Sequence, residues 1–434
     1  MQMKRRTRPA LLRAITFVVI AATATVWALL AADTVSLARR ATILPTLRPT
    51  ATVPLPTLAI TATPTPLPLA TATPEAAAEQ GVVQATAEPK LAGFHPKTGR
   101  YIAAWLPDSF GSENRASFEA NADILDEISP FWYAPSPNGG LYFGREARDR
   151  TLIELARSKN VLVIPTVHNV VLGADPVPGI LSSPQLRARH IARIVDEVVT
   201  YEYDGIDIDY EFLGPSMRDE YTAFMIALAE ALHARGKLLT IAVHAKTCDR
   251  CGLGSYQDWA ALGAVVDRLR IMTYDYHWRG GGPGPVAPVY WVRAVGEYAR
   301  ATVDPAKVVI GVPFYGYNWP SGGGNAAGQT WAMINDIIQR NNLDVNLLES
   351  DERGQVQENW ITYSTRDSGR RTVWFATSTG LDAKLKLVQE LDLAGIAIWR
   401  LGGEDPSKWG VIRDRLVEDP FEMQRVFGGL LPEH

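Results

Sequence analysis

This chain of 434 residues has few cysteines and no excess of positive charge. Its only cysteines are Cys248 and Cys251, and two sulfur atoms cannot form a zinc site by themselves. A chain this long can bury a stable core without a framework of disulfides. The formal net charge is −4, so the sequence has no basic excess for binding phosphate backbones. We therefore expect a globular protein that does not bind nucleic acid.

Residues 1–40 form a basic stub followed by an apolar segment. The uncharged stretch 14–32 is 19 residues long, enough to span a bilayer as a helix, and the preceding Lys and Arg residues predict a cytoplasmic N-terminus. A cleaved signal peptide is the alternative. We expect a single-pass cell-membrane protein attached through this helix, or a secreted one if the segment is cleaved. On either reading Cys248 and Cys251 lie outside the cytoplasm, where a small disulfide loop is expected.

Residues 41–92 are rich in Thr, Pro and Ala. Nine of the 29 prolines lie between Pro45 and Pro89. Such a composition cannot bury a core and favours extended polyproline II structure. We interpret this segment as a spacer; a passive disordered tail would have the same composition.

From residue 93 to residue 434, short apolar runs alternate with longer helical patterns. Eight runs are predicted as strands: 101–105, 128–132, 161–165, 205–209, 238–243, 268–273, 308–312 and 395–399. Eight strands alternating with helices predict an α/β fold of the (β/α)8 TIM-barrel type. An open doubly wound sheet is disfavoured, because no Gly-x-Gly-x-x-Gly turn follows the first strand. We expect a monomer.

The seventh and eighth runs are separated by about 80 residues, too many for one helix. Two strand patterns, 356–364 and 371–377, and two helical patterns, 332–340 and 381–391, lie between them. We predict a small α+β insertion at about residues 320–390. In this class of barrel, loop excursions of that kind build the wall of the active site.

The segment Asp204–Glu211 (DGIDIDYE) contains the candidate acid. Residues two apart in a strand point the same way, so Asp207, Asp209 and Glu211 share one face while the apolar residues between them share the other. We predict that the carboxyl row lines the barrel interior. Three buried carboxylates are costly unless they share protons or bind a metal, and crowding raises their pKa values. Glu211, highest on the strand, is the predicted general acid.

A metal site is the alternative to an acid site. His168, His244 and His277 fall near predicted strand ends and could join the carboxylates around a divalent ion. However, neither His-x-His nor His-Glu-x-x-His occurs in the chain. We therefore expect no metal and no cofactor.

Residues 93–420 resemble glycoside hydrolase family eighteen, the chitinase-like enzymes. DGIDIDYE is similar to the family signature DGxDxDxE, Met272–Asp275 (MTYD) to its sixth-strand motif, and Trp399 to the tryptophan below its sugar site. The stretches 272–291 and 311–319 are most similar to the branch with spore-cortex and cell-wall N-acetylglucosaminidases.

The resemblance implies retaining hydrolysis in which the substrate's own acetamido group is the nucleophile. Glu211 would then be the acid, Asp209 would orient the acetamido group, and Asp207 would share a proton with Asp209. Tyr274 would bind the acetamido oxygen. The resemblance also implies substrate-binding roles for Asp275, Met272 and Trp399.

Aromatic residues cluster at or just after the predicted strand ends. Sugar rings stack on such side chains, and the clustering predicts a sugar cleft with five further binding residues: Trp105, Trp132, Tyr276, Trp278 and Tyr315. Core packing is the alternative for any single one of them.

One departure from the family pattern bears on the substrate. The third strand has Pro165–Asn169 (PTVHN) where chitinases of the family carry Ser-x-Gly-Gly, which weakens chitin as the natural polymer. We expect hydrolysis of a β-linked N-acetylhexosamine glycan, peptidoglycan or chitin-like. A catalytically silent sugar-binding protein on the same barrel is the alternative.

Overall fold

The computed structural model describes residues 96–108, 111–170, 174–366 and 369–416. The apolar segment 14–32 and the spacer 41–92 lie outside these ranges. Within them, no helix is both long enough and apolar enough to cross a bilayer. The expected single-pass location and the membrane as a partner therefore have no support in the described residues.

Sixteen strands are present in the described ranges, in two sheets. The larger sheet contains β1 (Tyr101–Leu106), β2 (Glu127–Pro130), β3 (Tyr133–Pro135), β4 (Leu141–Phe143), β5 (Leu162–Val163), β6 (Thr166–His168), β7 (Gly205–Asp209), β8 (Leu238–His244), β9 (Arg268–Met272), β10 (Val308–Pro313) and β16 (Gly395–Trp399). The smaller sheet contains β11 (Tyr315–Pro320), β12 (Ala327–Thr330), β13 (Asn346–Asp351), β14 (Gly354–Thr365) and β15 (Gly369–Phe375).

The larger sheet closes on itself as a barrel whose strands pair in parallel, except that β4 pairs antiparallel with β3 at its end. Its order is β4-β3-β6-β7-β8-β9-β10-β16-β1-β2-β5, and β5 and β6 are consecutive pieces of one chain segment. β5 pairs with β2 while β6 pairs with β7, so the segment bridges the two ends of the ring. The break falls at Ile164-Pro165, where proline has no N–H to donate to a ladder. All eight predicted runs contain barrel strands, which confirms the TIM-barrel-like fold.

Ten helices lie in the described residues. They are α1 (Gly111–Asn121), α2 (Arg150–Ser158), α3 (Val177–Ser182), α4 (Pro184–Thr200), α5 (Arg218–His233), α6 (Trp259–Val265), α7 (Val289–Thr302), α8 (Trp331–Asn341), α9 (Ser378–Glu390) and α10 (Ser407–Leu416). Side-chain caps define several starts: Asp149 accepts the amides of Thr151 and Leu152 at α2, and Asp258 accepts that of Ala261 at α6. The helices that follow barrel strands cover the outer face of the ring.

The predicted insertion is the smaller, antiparallel sheet, with strand order β12-β11-β15-β14-β13. It begins at Tyr315, a few residues before the predicted start. Helix α8 covers one face, where Ile334 and Ile338 pack against Ile361, Val373 and Phe375. Val373 and Phe375 on β15 face α8, so the residues between them face the other side of the sheet.

The strand β7 alternates as its sequence predicts. Ile206 and Ile208 belong to the main apolar core with the helices, whereas Asp207 points into the barrel. Below the carboxyl row, Arg270 forms an ion pair with Glu127, and both side chains are fully buried. The Arg270 guanidinium also donates to Ser129 Oγ at 2.8 Å and lies 3.5 Å from Asp207 Oδ2. The barrel interior therefore contains a polar network beside a small apolar cluster, which consists of Tyr101, Ala103, Trp105, Ala242, Val309 and Ala397.

Removing Arg270 should destabilise the barrel strongly. In Arg270→Ala, Glu127 becomes a buried charge without its partner, and we expect a loss of about 3–5 kcal/mol in the free energy of unfolding. Denaturant unfolding measures it. Arg340→Ala is the control, because its ion pair with Asp336 is exposed on α8 and should be worth less than about 1 kcal/mol. Equal losses in the two variants would contradict the structural role of the network.

Candidate active site

A cleft of about 470 Å³ opens at the carboxyl ends of the barrel strands. Eight of the twelve residues predicted from the sequence line it: Trp105, Asp209, Glu211, Met272, Tyr274, Asp275, Trp278 and Trp399. Its walls are mostly apolar, and the carboxyl groups converge on one side. That combination is typical of a site for a small polar ligand with apolar faces.

Asp207 lies at the bottom of the carboxyl row, below the cleft, and is fully buried. Its carboxylate accepts hydrogen bonds from Trp105 Nε1 at 2.9 Å, Thr166 Oγ1 at 3.0 Å and Thr240 Oγ1 at 2.7 Å. Burial raises the pKa of Asp207, and these three hydrogen bonds oppose the rise. Asp207 is thus held in one position by side chains from the two adjacent strands, β6 and β8, and from β1 across the barrel.

Asp209, the middle member of the row, lies between the two other carboxyl groups. Burial raises its pKa well above the ordinary value, and the charges of Glu211 and Asp207 raise it further. Its Oδ1 atom is buried and has no hydrogen-bond partner among the described residues. An unpaired buried oxygen at the edge of a cleft is poised to bind a donor on a ligand.

Glu211 follows β7 and faces the cleft with a side chain that is 18% exposed. Burial raises its pKa to about 7, with a further contribution from the negative charge of Asp275. At neutral pH the protonated and ionised forms are therefore present in comparable amounts. This is the condition under which one carboxyl group serves first as an acid and then as a base.

The backbone of Glu211 is clamped by one asparagine. The Glu211 N–H donates to Asn169 Oδ1 at 2.7 Å, and Asn169 Nδ2 donates to the Glu211 carbonyl at 2.9 Å. Asn169 Nδ2 also donates to Asp175 at 2.8 Å, and Asp175 accepts the amide of Val177 at the start of α3. Asn169 thus continues the β6–β7 pairing by one residue after the strands end.

His244 lies beside the acid. Burial lowers its pKa to about 4, so the ring is neutral at physiological pH. Its Nε2 atom accepts the N–H of Phe212 at 3.3 Å and lies 4.0 Å from Glu211 Oε2. His244 therefore supports the turn after Glu211 without placing a positive charge there.

The three histidines do not form a metal site. His168 stacks on Phe131 with ring centroids 5.0 Å apart, and His277 Nδ1 contacts the carbonyl of Gly282 at 3.0 Å. Across the part of the chain that the structure describes, no three His, Cys, Asp or Glu side chains are grouped to hold an ion. The metal alternative has no support in this geometry.

Asp275 faces the acid from the next wall. Its carboxylate accepts hydrogen bonds from the hydroxyl groups of Tyr315 and Tyr317, the latter at 3.1 Å. Asp275 is open to the cleft, yet surrounding protein atoms desolvate its carboxyl and raise its pKa, while the two hydrogen bonds oppose that rise. Tyr274 lines the cleft beside it, with its ring edge-on to Tyr315 at 6.1 Å.

The structure places three predicted binding residues outside the cleft lining. Trp132 is buried in the main core and packs on Tyr203 at 5.8 Å. The second strand breaks between Pro130 and Tyr133, and Phe131 points inward instead. Tyr276 packs on Tyr290 and Trp291, and Tyr315 acts on the cleft through Asp275.

The sequence did not indicate a binding role for seven other residues that line the cleft: Phe131, Phe212, Ala242, His244, Ala245, Leu253 and Trp291. Phe212 was detectable, since it follows the acid directly and is 65% exposed. Leu253 had no signal, because its place depends on the loop closed by the Cys248–Cys251 disulfide. That disulfide is the small loop predicted from the sequence.

A buried glutamate joins the cleft wall to the insertion. Glu358, on β14, is fully buried and accepts the N–H groups of Val286 at 2.6 Å and Ala287 at 2.7 Å. Lys384 Nζ lies 3.7 Å from the same carboxylate. The bonded loop carries Trp278, so this exposed wall residue is tied to the smaller sheet.

A barrel with a raised-pKa glutamic acid, a carboxyl row beneath it and an aromatic cleft defines a glycoside hydrolase. The model of the glycosyl hydrolases family 18 matches residues 177–404. The chain belongs to this family and is a glycoside hydrolase.

Relatives support the assignment. A sporulation-specific glycosylase of Bacillus subtilis, YdhD, is 32% identical over 327 residues, covering 72% of this chain and 76% of the relative. The cortical fragment-lytic enzyme of Bacillus subtilis is 28% identical and covers 70% and 71% of the two chains. The crystal structure of the Bacillus megaterium spore cortex-lytic enzyme SleL shares the fold, with a TM-score of 0.66, 24% identity and coverage of 73% and 74%.

Asn169→Ala should impair the site through Glu211. Loss of the clamp frees the backbone that carries the acid, and we expect kcat/KM on a glycan substrate to fall by about 10- to 100-fold. Steady-state kinetics measures it, with circular dichroism to check folding. Asn121→Ala is the matched control, since Asn121 is equally buried at 7% but lies on α1. Wild-type kinetics in Asn169→Ala, or equal losses in both variants, would contradict the positioning role.

Proposed function

We propose that this enzyme hydrolyses β-linked N-acetylhexosamine glycans with retention of configuration, using the substrate's acetamido group as nucleophile. The observation that carries the proposal is the row Asp207, Asp209 and Glu211, which ends in a glutamic acid with a pKa of about 7 at an aromatic cleft. Retaining glycosidases with two carboxylates need one of them as the nucleophile. Here Asp209 is buried in the row and its raised pKa makes it a poor nucleophile.

In the first step, Glu211 donates its proton to the glycosidic oxygen and the bond from that oxygen to the anomeric carbon breaks. The acetamido carbonyl oxygen of the same sugar attacks the anomeric carbon, forming an oxazolinium ion. In the second step, ionised Glu211 takes a proton from water. The water oxygen attacks the anomeric carbon, and the oxazolinium ring opens to restore the acetamido group. Glu211 returns to its protonated form, so no external reactant other than water is needed.

The neighbouring residues serve the acetamido group. Asp209 accepts its N–H through the buried oxygen that lacks a protein partner. Once the proton of Asp209 has moved to Asp207, the ionised Asp209 stabilises the positive oxazolinium ring. Asp207 takes part by sharing a proton with Asp209. Tyr274 donates to the acetamido oxygen, and Asp275, fixed by two tyrosines, holds the distorted sugar. Trp399 forms the floor, edge-on to Trp105 at 5.9 Å.

We infer that peptidoglycan is the polymer rather than chitin. Two relatives are named for sporulation and for lysis of cortical fragments. The third strand also supports this choice, because Thr166 and Asn169 occupy positions where chitinases of the family carry the Ser-x-Gly-Gly pattern. In this chain these residues bond Asp207 and the Glu211 backbone. A silent sugar-binding role is not favoured, since such proteins typically lack the acid that Glu211 provides.

Digestion of purified peptidoglycan and of N-acetylated and de-acetylated glucosamine oligomers tests the proposal. We expect cleavage of the acetylated substrates only, because de-acetylation removes the nucleophile. Glu211→Gln should abolish cleavage, a loss of more than about 1,000-fold, while binding persists. Mass analysis of the new ends gives the products. Comparable rates on de-acetylated oligomers would rule out the substrate-assisted mechanism, and wild-type turnover in Glu211→Gln would rule out the acid.

The pH dependence of kcat/KM should report Glu211. Since its raised pKa is about 7 and the acid must be protonated, activity should fall as pH rises through 7. Asp275→Asn removes a negative charge that raises this pKa, so the decline should begin at lower pH. The exposed Asp196→Asn on α4 is the control. A basic limb that stays in place or moves to higher pH in Asp275→Asn would falsify the coupling.

A further inference from the structure

The β8 loop, residues 245–258, connects β8 to α6 and contains the Cys248–Cys251 disulfide. Cys248 is exposed and Cys251 is half-buried, so small thiols can reach the bond. The chain has no other cysteine. Two residues after the disulfide, Leu253 lines the cleft with 60% of its surface exposed. The disulfide is therefore close in sequence to one wall of the active site.

One buried lysine ties the disulfide to the rest of the β8 loop. The side chain of Lys246 is fully buried. Its ammonium group donates to the carbonyl of Asp249 at 2.7 Å, inside the ring that the disulfide closes. The same group donates to the carbonyls of Gly254, at 3.3 Å, and Gln257. Because a buried ammonium is costly without acceptors, these carbonyls hold the loop around Lys246 as one unit.

The far end of the β8 loop bonds to the backbone that carries the acid. Tyr256 is fully buried, and its hydroxyl donates to the carbonyl of Tyr210 at 2.6 Å. Tyr210 directly precedes Glu211. Gln257, also fully buried, accepts the N–H of His244 at 2.9 Å, and His244 accepts the N–H of the residue after the acid. The loop therefore supports the backbone on both sides of Glu211.

We propose that Tyr256 is a positioning residue for Glu211, and that the Cys248–Cys251 disulfide keeps the β8 loop in place around it. The inference rests on the proposed function, in which Glu211 is the acid. Tyr256 lies behind the cleft lining, so it acts on the reaction through the Tyr210 carbonyl. Opening of the disulfide ring loosens the carbonyls around the buried ammonium and, with them, the hydrogen bond of Tyr256.

A dithiol is the class of reductant that opens the ring. One of its thiolates attacks a cysteine sulfur, and the other cysteine leaves as a thiolate that takes up a proton. The second thiol of the reductant then displaces the first cysteine, so the chain gains two thiols and the reductant becomes a cyclic disulfide. Arg218 on α5 still bonds Asp249 and Asp258, each at 2.7 Å, so the reduced chain stays folded and is slowed rather than silenced.

Tyr256→Phe tests the positioning role, because it removes only the hydroxyl. We expect kcat on a glycan substrate to fall by about tenfold with little change in KM, since displacement of the acid affects the reaction more than binding. Tyr203→Phe is the matched control: Tyr203 is equally buried, and its hydroxyl lies 2.7 Å from that of Tyr133. Wild-type kcat in Tyr256→Phe, or equal losses in the two variants, overturns the role.

Reduction with dithiothreitol tests the disulfide. In the wild-type chain, kcat should fall by about three- to tenfold and recover on reoxidation, with thiol counting to confirm each state. Cys248→Ser/Cys251→Ser should be slow from the start and insensitive to the reductant. In Tyr256→Phe, reduction should add little, because both changes act through one contact. A reduced wild-type chain with full activity, or additive losses, overturns the role of the disulfide.

Hydrogen exchange separates this inference from the proposed function, since it needs no catalysis. The N–H groups of Glu211 and Phe212 are hydrogen-bonded, and mass spectrometry of residues 209–213 should show faster exchange after reduction and in Tyr256→Phe, but not in Tyr203→Phe. If the wild-type chain cleaves no glycan but exchange responds in this way, the proposed function fails and the positioning stands. If glycan is cleaved through Glu211 but exchange and kcat do not respond, the positioning alone fails.

Discussion

The site depends on the burial of acidic groups: Asp207 is fully buried, Asp209 is almost fully buried, and Glu211 is partly buried at the cleft. The strand β7 lies between helices and the barrel interior, so its inward residues have no solvent face. Asp207 and Asp209 are buried by the same ring of strands that makes the fold stable. Burial is what raises the pKa of each carboxyl in the row, and the raised pKa of Glu211 is what suits it to the proposed role of an acid near neutral pH.

The rest of the barrel interior makes this burial tolerable. Arg270 and Glu127 neutralise each other beneath the row, and the indole and two hydroxyl groups that bond Asp207 replace lost water. The compensation ends at Asp209, whose free oxygen is left for the ligand. Hydrogen bonding of the carboxyl groups therefore decreases along the row. Asp207 has three side-chain donors, Asp209 has one oxygen without a protein partner, and Glu211 faces the open cleft.

Strand periodicity made much of this predictable. The alternation in DGIDIDYE was enough to separate inward carboxyls from outward apolar residues, and eight apolar runs were enough for the barrel. Periodicity failed where the strand itself is interrupted, so Trp132 was predicted in the cleft although Phe131 lies there. It also could not identify Asn169 or Glu358, since each acts through backbone groups about 40 and 70 residues away in sequence. Polar side chains that bind distant backbone leave no local pattern.

The bonds from Glu358 to Val286 and Ala287 have a consequence for how such enzymes diversify. They join a barrel loop and an inserted sheet into one unit, while Asp207 and Asp209 lie on β7 and Glu211 follows that strand. Exchange of the insertion would thus replace the far side of the cleft together with the two tyrosines that bond Asp275, while Asp207, Asp209 and Glu211 would keep their places. Glu358 therefore lies at the contact between the residues that would shape substrate preference and the residues that would carry out the proposed chemistry.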